Sequence, residues 1–67
     1  MKAPCGVEIE VGQKWQEMDG RFKRIVTVHG WIDGDDPEVI IRGIRLTKAK
    51  LSRFDGKCGG YALVGWL

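Results

Sequence analysis

Turn-forming residues punctuate this chain too often for long regular elements. Ten of its 67 residues are glycine, about twice the usual share, while asparagine is absent and Ser52 is the single serine. Turns must therefore be built from Gly and Asp, and the segments between them are short. Glycine weakens the interior of helices and strands alike, so the economical solution is a set of short strands joined by tight turns.

The residue pattern between the turns agrees with this. Lys14 to Met18 alternates around Trp15 and runs into Asp19-Gly20, a dipeptide that favours a two-residue hairpin turn with a return strand from near Arg21. From Phe22 to Ile32 the chain is rich in Val, Ile, Thr and aromatic residues, with Phe22, Val26, Val28 and Ile32 on one parity. Asp33-Gly34-Asp35-Asp36-Pro37 breaks ladder pairing and makes a second hairpin. Glu38 to Leu46 reads as the next strand, with a bulge at Gly43 where the apolar parity changes from Val39 and Ile41 to Ile44 and Leu46. For Thr47 to Phe54 two readings compete. Alternation of Ala49 and Leu51 with Lys48 and Lys50 favours a strand ending in a helical turn, against a short helix capped by Thr47. After the loop Asp55 to Gly60, Tyr61 to Trp66 closes the chain as an apolar strand. Residues 1–11 form an N-terminal arm or, through the alternation of Val7, Ile9 and Val11, an edge strand. Curling such strands into a small barrel over residues 12–66 would remove exposed edges, so the expectation is one all-β domain.

Size and composition narrow the function classes. A 7.5 kDa chain holds one small core and can hardly spare the several hundred Å³ of a substrate-enclosing cavity. With 43% hydrophobic and 30% charged residues it belongs with globular rather than disordered chains. Its unbroken apolar runs stop at three or four residues, far short of a membrane span, and no leader pattern opens it. Cys5 and Cys58 fall below the density of disulfide-stapled secreted folds, so free thiols and a cytoplasmic location are expected.

In order, the landmarks Gly12-Gln13-Lys14-Trp15, Arg21, Arg24-Ile25-Val26, Val28, Leu51-Ser52-Arg53-Phe54 and Gly60-Tyr61-Ala62-Leu63-Val64 make a pattern. The chain resembles small bacteriophage and prophage proteins of uncharacterised function, over roughly Gly12 to Val64. That resemblance implies an SH3-like antiparallel barrel of about five strands with one short helical turn, a bacterial host cytoplasm, and Trp15, Phe54 and Tyr61 as core landmarks. It carries over no catalytic residue.

The side-chain inventory points the same way. Ser52 lacks the glycine elbow that activates a serine nucleophile. Cys58 beside Lys57 could pair with His29, yet no third group would orient them, so a plain surface thiol is the better reading. Zinc needs a close pair of ligands that Cys5, Cys58 and His29 do not offer. Asp33, Asp35 and Asp36 resemble the start of a calcium loop, but Pro37 and Ile44 at later ligand positions defeat it. No phosphate-binding glycine motif occurs. The expectation is a non-catalytic protein without cofactor, metal, membrane or small-molecule substrate. It would bind a host or phage protein, or a second copy, through Trp31, Trp66 and Arg53, since exposed Trp and Arg anchor interfaces. The alternative is nucleic-acid binding through Arg42, Arg45, Lys48, Lys50 and Arg53, five basic residues uninterrupted by an acid. Against it stand a net charge of only +2 and the acidic cluster Asp33 to Glu38.

Overall fold

A computed structural model describes residues 1–18, 24–56 and 60–66. The Asp19-Gly20 turn, the start of the return strand at Arg21 and Phe22, and the Lys57-Cys58 pair lie outside the described residues. The strands are β1 (Gln13–Glu17), β2 (Ile25–Ile32), β3 (Glu38–Arg42), β4 (Leu46–Lys50) and β5 (Tyr61–Trp66), with a 3-10 turn at Leu51–Arg53 after β4. All pairings are antiparallel in one sheet of order β4-β3-β2-β1-β5. The all-β, five-stranded expectation with one helical turn is what the chain adopts. Closure is not: among the described residues no ladder joins β4 to β5, and the sheet stays open between them.

Register decides which side chains form the core. β1 turns Gln13, Trp15 and Glu17 inward, and all three are buried. β2 turns Val26 and Val28 inward. Val28 then pairs with Ile41 whereas Gly30 pairs with Ile40, so His29 is an extra residue, a bulge that reverses the parity beyond it. Trp31 consequently shares the side of its partner Val39, and Ile32, expected inside, points outward and is 43% exposed. A second bulge lies in β5, where Lys14 pairs with Gly65 and Trp15 with Leu63, leaving Val64 extra.

The expected bulge at Gly43 is instead a hairpin. Glu38 to Leu46 divides into β3 and the start of β4 around Gly43-Ile44-Arg45, with Ile44 at the tip almost fully exposed. The parity change read from the sequence was thus a reversal of chain direction. Of the competing readings for Thr47 to Phe54, the structure adopts the strand ending in a helical turn. Leu51 N–H donates to the Pro37 carbonyl and Phe54 N–H to that of Leu51, which swings Phe54 into the core. There its ring meets Trp15 edge-on at 5.0 Å and stacks on Tyr61 at 4.8 Å.

The N-terminal segment belongs to this core. Lys2 bridges Glu8 in antiparallel fashion, Ile9 N–H donates to the Met1 carbonyl, and Ala3 and Ile9 are buried. Gln13 ties the segment to β1: its Nε2 donates to the Glu8 carbonyl at 2.7 Å, and its Oε1 accepts from Glu10 N–H and Trp15 Nε1, both at 3.1 Å.

Candidate interaction surfaces of the open sheet

The open sheet offers three surfaces: its outer face, a cleft at its mouth and its free edge. On the outer face, β3 and β4 pair Ile40 with Lys48 and Arg42 with Leu46, while Ile32 pairs with Glu38. Ile40 therefore has Ile32 and Leu46 as diagonal neighbours on the two flanking strands, a spacing within reach of long apolar side chains. Opposite Ile40 stands Gly30, which has no side chain to cover it. The result is an apolar diagonal across three strands, bordering a shallow cleft of about 320 Å³ with Thr47 and Lys48 at its rim.

Basic residues surround this patch without forming one cationic track. Arg42 and Lys48 share the outer face, and Lys14 joins them across Thr27. Lys50 lies 3.1 Å from Asp36 in an ion pair exposed to solvent on both sides. Arg45 sits on the hairpin tip. Arg53 is carried to a different part of the molecule by the 3-10 turn, where its guanidinium lies 5.0 Å from the centre of the Tyr61 ring. Of the five residues expected to bind nucleic acid, the fold thus brings Arg42 and Lys48 together, with Lys50 along the same face.

The tryptophans divide as well. Trp15 is fully buried, whereas Trp31 at the end of β2 is about a third exposed and Trp66 at the end of β5 is 54% exposed. Gln13 pairs with Trp66, and Gly12 N–H donates to the Val28 carbonyl, so both outer tryptophans lie toward the end of the sheet where β1 begins. Trp66 remains available for contact, and Val64 beside it is half exposed. Arg53 is exposed, with its guanidinium over the Tyr61 ring.

The mouth between β4 and β5 forms a cleft of about 390 Å³ bordered by Glu17, Val26, Ile41, Arg45, Thr47 and Tyr61. Glu17, buried, receives Arg24 Nη2 at 3.0 Å and Nε at 3.3 Å on one carboxylate oxygen. Burial pushes the Tyr61 phenol above its ordinary range, an effect that the nearby Arg53 guanidinium partly offsets. At the opposite end, Glu8 is held below the usual carboxylate range by its hydrogen bond with the Met1 ammonium.

Among the described residues no three His, Cys, Asp or Glu side chains gather as metal ligands. Cys5 is a free, exposed thiol, and Ser52 and His29 are exposed. No helix among the described residues is long and apolar enough to cross a membrane. Comparison with protein-family models finds no match, and neither do comparisons with curated proteins and with solved structures.

Proposed function

We propose that this chain is a small non-catalytic binding protein of phage or prophage type that acts by contact with a protein partner, such as a host factor or a second copy. The observation that carries the reading is the apolar diagonal Ile32, Ile40 and Leu46 on the outer sheet face. Exposed apolar side chains that adjoin one another, with charges at their rim, are the composition of a contact surface rather than of a solvated face. The half-exposed Trp66 offers an aromatic anchor of the kind that dominates binding energy. Nucleic acid is less well served, because Lys50 is paired with Asp36, Arg53 lies over Tyr61, and Ile40 and Leu46 stand among the remaining cations.

The test is affinity capture from phage-infected bacterial lysate with and without nuclease, followed by variants against whatever is captured. Trp66→Ala and Leu46→Asp should each weaken binding by roughly 2 kcal/mol with little dependence on salt. Charge reversal at Lys48 and Lys50 should act modestly, through the association rate. Nuclease-sensitive capture, with log affinity falling steeply against log salt and no effect of the Trp66 and Leu46 variants, would replace protein by nucleic acid.

A further inference from the structure

We infer that the free edge of β4 accepts an extended segment of a partner protein as an added strand, acidic on one face and small and apolar on the other. This rests on the protein-contact reading and specifies the partner's chemistry. β4 pairs with β3 over all five residues without a shift in register, and among the described residues nothing pairs with its other side. In an antiparallel ladder alternate residues of such a strand direct N–H and C=O groups away from the neighbour they already bond. The other edge is poorly suited. Gly56 N–H already bonds the Tyr61 carbonyl at the start of β5, and the bulge at Val64 interrupts the rest.

The two faces of β4 state what the added strand must carry. Outward stand Leu46, Lys48 and Lys50, and inward stand two small residues, Ala49 in the core and Thr47 beside the open cleft. A neighbouring strand would set its outer side chains directly across from the lysines, where acids are favoured and bases are not. Its inner side chains would turn toward Ile41, Val26 and Tyr61, apolar residues that border the cleft and are themselves nearly buried. A second copy of β4 does not fit, since the antiparallel register that pairs the whole strand sets Lys48 against Lys48. Strand addition of this kind draws affinity from main-chain hydrogen bonds and selectivity from alternate side chains.

The probe is a capped peptide alternating glutamate with valine over one strand length, titrated into the isotopically labelled full chain and followed by NMR. The inference expects saturable shifts at amides 46–50 and at the side chains of Ile41 and Tyr61. Replacing every glutamate of the peptide by lysine should abolish binding, and Lys48→Glu in the protein should exchange the preference between the two peptides. N-methylation of alternate peptide nitrogens keeps charge and side chains but removes the ladder donors, and should weaken binding by at least roughly tenfold. Equal binding by the N-methylated peptide, shifts confined to lysine side chains, or no shift at millimolar peptide would each overturn the inference. Absent peptide binding alongside capture that still depends on Trp66 and Leu46 sinks strand addition and leaves protein contact standing. Peptide binding alongside nuclease-sensitive capture does the reverse.

Discussion

Gln13 joins the N-terminal segment to β1 by satisfying three polar groups, one of them the buried indole N–H of Trp15. Its fully buried amide accepts from Glu10 and Trp15 and donates to Glu8, so removing it strands two donors and one carbonyl. Gln13→Leu, close in volume, should therefore destabilise the fold by about 2–3 kcal/mol in urea unfolding followed by tryptophan fluorescence. Gly60 is constrained by space instead: a Cβ there would run into the Arg53 carbonyl oxygen and the Asp55 carboxylate, whereas one on Gly65 meets nothing. Gly60→Ala should cost about 1–3 kcal/mol in the same assay, with Gly65→Ala close to neutral. Tyr61 supplies a pH signature. Its folded-state pKa is raised by burial, so its stabilising contribution is intact below the ordinary tyrosine pKa and is lost as pH rises through the higher folded value. Because it is the only tyrosine, phenolate absorbance reports this one group. Titration should lie above that of the urea-unfolded chain, and the contribution of Tyr61 to the unfolding free energy should be lost on the alkaline side; a titration at or below the unfolded value would contradict the buried stack.

Two bulges and one hairpin decide what each element presents. The bulge at His29 places Ile32 outside, so Ile32→Glu should change stability by less than about 1 kcal/mol, while Val28→Glu, which buries an unpaired carboxylate, should prevent folding. Equal damage from both, by circular dichroism and thermal melting, would mean that β2 runs without a bulge. This is also where sequence reasoning reached its limit. Period-two alternation, the Asp33 to Pro37 turn and the aromatic landmarks Trp15, Phe54 and Tyr61 lead directly to β1, β2, the second hairpin and the core. A bulge leaves no mark in a run of β-formers, because Val28-His29-Gly30 reads equally well with or without an extra residue. Gly43 lacks the Asp or Asn partner that announces a two-residue turn, so a reversal of direction looked like a change of parity. The apolar diagonal followed from these two features and was hidden with them. Lys14 was likewise invisible as a neighbour of Arg42, since they meet only through cross-strand register.

The whole molecule is a sheet that curls over one aromatic core without joining its first and last edges. Charge is distributed along it unevenly: Asp33, Asp35 and Asp36 cluster at the β2–β3 turn, while Arg42 and Arg45 stand at the opposite hairpin. The mouth and the β4 edge both follow from the same incomplete closure, and the strand addition proposed there depends on it. Backbone NMR on the isolated chain tests this most directly, through inter-strand Hα and amide contacts combined with amide exchange. The account predicts contacts linking β4 to β3 and β5 to β1, none between residues 46–50 and 61–66, and rapid exchange at alternate β4 amides beside protected amides in β1 and β2. Contacts joining β4 to β5, with every β4 amide protected in the monomer, would describe a closed barrel and contradict it.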